Sequence, residues 1–109
     1  MRAKRVPQQS PSEREQSLLR RARRCGRKGD DRKAMVALRE ACFSAGNDPR
    51  LWVLYGVHCW RALKRDEALR ALRQGLWFRE RNRDERRARV VRALIEQIES
   101  GAVGELRAA

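Results

Sequence analysis

The chain has 109 residues, 27 Lys and Arg against 14 Asp and Glu, and a formal net charge of +13. That length allows one domain with a modest core. The charge favours acidic partners: an acidic protein segment, nucleic acid or an anionic membrane surface. Lys occurs only at positions 4, 28, 33 and 64, so the basicity is almost all Arg. Coding composition explains such a bias as readily as function does, but the positive field is physical either way. Cys25, Cys42 and Cys59 are an odd number without CxxC spacing and read as core thiols in a reducing cytoplasm. Apolar runs fall far short of the ~20 residues of a membrane span, and no export signal follows the basic start, so a soluble cytoplasmic protein is expected.

Residues 1–11 carry Pro, Gln and no acidic side chain, which predicts a disordered basic tail. Beyond it no stretch alternates with period two, so the predicted class is all-α over a domain at 12–100. Ser12 and Glu15 form a capping-box pattern before a helix marked by Leu18, Ala22 and Cys25. Gly29-Asp30 breaks it. The next helix places Ala34, Met35, Leu38, Ala41 and Cys42 on one face and ends near Gly46. Asp48-Pro49, a cap followed by the favoured place for proline, opens the apolar run LWVLYGVHCWRAL at 51–63. Lys64-Arg65-Asp66 turns the chain into EALRALRQGLWF, in which Trp77 or Phe78 is expected to touch Val90 and Leu94. A last helix, capped by Asn82 with Glu85, shows Ala88, Val91, Leu94, Ile95 and Ile98 at helical spacing; 101–109 reads as a flexible tail.

Shifting the chain by 34 residues superposes Cys25 on Cys59, Arg27 on Arg61, Ala34 on Ala68, Ala37 on Ala71, Leu38 on Leu72 and Arg39 on Arg73 without a gap. Ala22 falls on Gly56 and Ala41 on Gly75, keeping small residues where two helix backbones would approach. On these residues the chain resembles the tetratricopeptide repeat family, whose unit is a 34-residue helix-turn-helix. Trp52, Tyr55, Gly56, Ala68, Leu72 and Gly75 match the family's places in a second unit at 49–82. Leu18, Ala22, Ala34, Leu38 and Ala41 do so in a weaker first unit at 15–48, where Arg21 replaces an apolar residue. Residues 83–99 resemble the family's capping helix. The resemblance implies a right-handed array of about five antiparallel helices.

The same resemblance implies a groove lined by the first helix of each pair, here by Leu19, Arg20, Arg23, Arg27, Arg50, Val53, Val57, Trp60 and Arg61. An apolar floor with guanidinium walls suits an acidic or amphipathic segment of a partner protein. The implied role is that of an adaptor, subunit or small chaperone, in a bacterial cytoplasm. Leu19, Arg23 and Leu54 stand where the family's peptide-carboxylate clamp needs Lys and Asn, which argues against that form of binding. Val53, Val57 and Trp60 are either core under neighbouring helices and the tail, or an exposed strip that marks the partner site. Two units fall below the roughly three that usually stack stably, so a partner or a second copy of the chain is expected to complete the fold.

Catalytic chemistry finds no support: His58 is the single histidine, lies in an apolar helix, and has no Ser or Asp partner by spacing. It reads as structural. No paired metal-ligand spacing and no phosphate loop occurs, so neither metal nor cofactor is expected, and no enzyme. The alternative function is RNA, ribosome or DNA association through Arg clusters. One cluster runs from Arg20 to Lys28; the other includes Arg79, Arg81, Arg83, Arg86 and Arg87.

Overall fold

The computed structural model describes residues 11–45 and 47–101. Among them are five α-helices and no strand: α1 (Pro11–Arg27), α2 (Asp31–Ala45), α3 (Pro49–Arg61), α4 (Arg65–Arg81) and α5 (Glu85–Ser100). The expected all-α class holds over these residues. Pro11, placed in the tail by sequence, already belongs to α1, and Gly101 closes α5 in the left-handed conformation. The rest of both expected tails, the Ser12 side chain and the Gly46 cap lie outside the described residues.

One tight turn occurs three times. The carbonyls of Cys25, Cys59 and Arg79 accept from the amides of Asp30, Lys64 and Asp84 at 2.8, 2.8 and 2.9 Å. The residue before each of these donors has positive φ: Gly29 at 79°, Leu63 at 67° and Arg83 at 59°. A six-to-one bond around a left-handed residue is how helices commonly stop. Here it returns the chain at once into the next helix, since Asp30, Lys64 and Asp84 carbonyls accept from Ala34, Ala68 and Ala88. All three alanines have 0% exposure. A turn this short brings the second helix back against the first, and only a small side chain fits there.

The third turn corrects the expected start of the last helix. Asn82 ends α4, and Asp84 is the N-cap of α5, its carboxylate accepting from the Arg87 amide at 3.3 Å. Asn and Asp are equally good caps, so only the left-handed Arg83 between them decides which one serves. At the other loop, Asp48 accepts from the Arg50 amide at 3.0 Å with Pro49 at the first helical position, as the sequence predicts.

The small places govern the packing. A methyl on Gly56 would stand 2.6 Å from Leu72 Cγ, and one on Gly75 would stand 2.9 Å from Val53 Cγ2. Their counterparts Ala22 and Ala41 are buried, as are Leu38 and Leu72. Each helix packs chiefly on its neighbours in the chain. One apolar core joins α1, α2 and α3 with Ala68 and Ala71 of α4; a second joins Leu69 and Leu72 of α4 to Val91, Ile95 and Ile98 of α5. Trp60 packs against both. Polar ties reinforce the order: Tyr55 donates to Glu67 at 2.7 Å, and Arg39 pairs with the same carboxylate at 3.7 Å, joining α3, α4 and α2. Burial, followed by that hydrogen bond, raises the Tyr55 pKa above its ordinary value.

Candidate functional site: a cleft between α3 and α5

α5 is fastened along α4 and not along α3. Arg92 of α5 reaches Glu80 of α4 at 3.2 Å, and Arg73 of α4 pairs with Glu99 near the far end of α5. With α5 held that way, an open cleft of about 430 Å³ remains on the α3 side, lined by Val57, Trp60, Arg61, Leu94 and Ile98. That volume lies within the roughly 300–1,000 Å³ of typical ligand sites. Its floor is apolar and its one charged wall is Arg61.

Arg61 is anchored from behind. Asp31, at the start of α2, pairs with Arg61 Nε at 3.2 Å and sits 2.8 Å from His58 Nδ1. The His58 and Asp31 side chains are 14% and 16% exposed. The histidine therefore has the Asp partner that sequence spacing did not suggest, 27 residues away on another helix. Its ring also lies over Gly26 of α1, where a methyl would meet His58 Cε1 at 3.0 Å. This contact closes the α1–α3 side at the level of Gly26, while the α3–α5 side stays open. The Asp31 pair uses Arg61 Nε, which leaves the terminal nitrogens of the guanidinium for a ligand.

The groove residues expected from sequence divide accordingly. Val57, Trp60 and Arg61 meet in the cleft. Leu19 does not line an open floor: at 6% exposure it belongs to the core of α1–α3, because its side of α1 is covered. Val53 is half-buried, seated on the bare backbone of Gly75. Arg50 is exposed and turns back onto Asp48 at 3.3 Å, while Arg20, Arg23 and Arg27 are exposed on α1, away from the cleft. Leu94 and Ile98 complete the cleft. Their helical spacing with Val91 marked them in the sequence as core residues of α5 but carried no sign of the facing Val57 and Trp60.

The second Arg cluster is largely occupied. Arg79 and Arg87 both reach Asp84, at 3.5 and 3.1 Å, and Arg81 lies over the Trp77 ring at 5.0 Å. Arg92 bridges Glu80 and Glu85. Arg83 and Arg86 are exposed. Arg79 takes the turn position held by Cys25 and Cys59; its side chain is 15% exposed and its Nε has no hydrogen-bond partner among the described residues. Nearby, Val90 is 67% exposed and Trp77 50%, and the Trp77 and Phe78 rings meet edge to face at 5.1 Å.

Among the described residues no cluster of His, Cys, Asp and Glu could hold a metal ion, and no helix is long and apolar enough to cross a membrane. The chain matches no family model, no curated protein and no solved structure.

Proposed function

We propose that this chain is a non-enzymatic, cytoplasmic protein-interaction module, a two-unit tetratricopeptide-like array with a capping helix. In this reading an acidic amphipathic helix of a partner protein seats its apolar residues on Val57, Trp60, Leu94 and Ile98. A partner carboxylate takes the free side of Arg61 in a charge-assisted hydrogen bond. The observation that carries the reading is the apolar cleft itself, walled by a guanidinium that is ion-paired to a partly buried carboxylate. Recognition of a helix in a groove needs this combination of apolar anchors and fixed charge. The net charge of +13 favours an acidic over a basic segment.

The test is selection from a displayed peptide library against the purified chain, followed by chemical-shift mapping. Selected peptides should carry apolar residues at three- and four-residue spacing with interspersed Asp or Glu, and should shift the methyls of Val57, Leu94 and Ile98. Leu94→Glu should abolish binding. Peptides that shift only residues outside the cleft, and that bind Leu94→Glu unchanged, overturn the reading. Leu94 is preferred over Trp60 for this purpose, because Trp60 joins the two cores and its loss would loosen α5.

A further inference from the structure

The C-terminal half of α1 presents a dense run of exposed cations. Arg20, Arg21, Arg23, Arg24, Arg27 and Lys28 are all exposed, and none has a carboxylate partner among the described residues. At about 100° per residue these six side chains cover an arc of about 160°, opposite the buried Leu18 and Ala22 and the partly buried Cys25. Arg23 and Arg27 stand on one flank of that arc, Arg21 and Lys28 on the other, and Arg20 and Arg24 between them. Arg24 alone has Arg20, Arg21, Arg27 and Lys28 at three- and four-residue spacing, where like charges repel and destabilise a helix. Arg24 and Arg27 complement the negative, C-terminal end of the helix dipole, but that requires no more than one or two cations.

We propose that α1 is a nucleic-acid-binding helix that enters the major groove of duplex DNA, with its two cationic flanks on the phosphates of the two strands. A helix with its side chains is about 10–12 Å across and the major groove about 12 Å wide, so a helix lying there has phosphates on both sides. Cations on both flanks suit that setting; a flat anionic surface would engage only part of the arc. No apolar side chain interrupts the arc between Arg20 and Lys28, and the small apolar cleft beside it, lined by Cys25, Val36 and Ala37, reaches only its Arg21 edge, so an amphipathic protein helix seated there would leave the rest of the arc unused. The arc offers no aromatic platform for single-stranded bases either. The deep, narrow major groove of duplex RNA excludes a helix, so DNA is preferred over RNA. This site is independent of the α3–α5 cleft.

The test compares binding of a 20-base-pair DNA duplex to the full chain and to Arg24→Glu, with Arg70→Glu, an exposed site on α4, as the control of equal charge change. The wild type should bind with log K falling against log salt by about 0.9 per phosphate contact, and should bind duplex RNA of the same length at least tenfold more weakly. Arg24→Glu should lose at least tenfold in affinity while melting at a temperature equal to or above wild type, since it replaces repulsions with attractions. Arg70→Glu should stay within about threefold. Equal losses in both variants would show that net charge alone acts and overturn the proposal. Tighter binding of polyglutamate or of phosphatidylserine vesicles than of the duplex, with the same dependence on Arg24, overturns it as well. If Arg24→Glu melts lower, Arg24→Gln read on the same duplex decides, with at least a threefold loss required.

Discussion

Gly56 of α3 faces Leu72 of α4 so closely that a methyl on its Cα would stand 2.6 Å from Leu72 Cγ and 2.8 Å from Cδ2, with the Ala68 carbonyl at 3.1 Å. Leu72 has 0% exposure and cannot swing away. Gly56→Ala should therefore push α3 and α4 apart and cost about 1–3 kcal/mol, the range of overpacked cores. Urea unfolding measures it. A smaller loss is expected for Gly75→Ala, whose nearest neighbour is a single Val53 methyl at 2.9 Å on a half-buried side chain. An alanine tolerated at Gly56 without loss would contradict the close approach.

The left-handed turn residue predicts a stabilising change. Leu63 holds φ 67° with 88% of its surface exposed, so its side chain contributes little burial while its backbone is strained. Gly29 occupies the same place in the first turn and has open space around it. Leu63→Gly should raise stability by about 0.5–1 kcal/mol, and Gly29→Ala should lower it by a similar amount. Opposite signs at equivalent positions, read from melting curves, are the expected result.

The α4–α5 turn makes stability depend on acid. Burial works to raise the Asp84 pKa, but the Arg87 amide and guanidinium, with Arg79 beside them, outweigh it and hold the carboxyl below its ordinary 3.8. The Arg92 guanidinium holds Glu85 below its ordinary 4.5. A carboxyl with a depressed folded pKa stabilises fully above its unfolded value, and that stability is lost as pH falls through the folded value. The urea midpoint should thus hold near pH 6 and fall progressively below about 4.5, the ordinary value of Glu85. Asp84→Asn keeps a capping acceptor without the charge and should flatten part of this dependence. A midpoint constant from pH 6 to pH 3 would contradict it.

Thiol reactivity should follow burial. Desolvation raises the Cys42 thiol to about 12 and the Cys59 thiol to about 11, and both side chains are nearly inaccessible. Cys25 is partly exposed and lines a small cleft with Arg21, Arg32, Lys33, Val36 and Ala37. Iodoacetamide at pH 8 should alkylate Cys25 at least tenfold faster than the other two, with all three equal in urea. Mass spectrometry after tryptic digestion reads the order.

Much of the fold was legible in the chain because helices are local. Apolar spacing placed Ala34, Leu38, Ala68, Leu72 and Val91 on the buried faces they occupy, and Asp48-Pro49 marked a cap that forms as read. The repeat of 34 residues showed where small side chains must stand, since close helix approach depends on residue size alone. Spacing could not tell which neighbour covers each face. Leu19 is core and Val57 lines a cleft, although both fall on first helices at places assigned to one groove. Asp31 and His58 meet across 27 residues, and Asp84 rather than Asn82 caps α5 because Arg83 takes the left-handed turn. The Arg cluster of α1 contains no acidic residue between Arg20 and Lys28, whereas the one near α5 is interleaved with Glu80, Asp84 and Glu85. Those three carboxylates fold back onto Arg79, Arg87 and Arg92, and such pairing depends on distance in space. The sequence by itself determined the helices and their small contact points; the tertiary structure decided which charges stay unpaired and which apolar surface stays open.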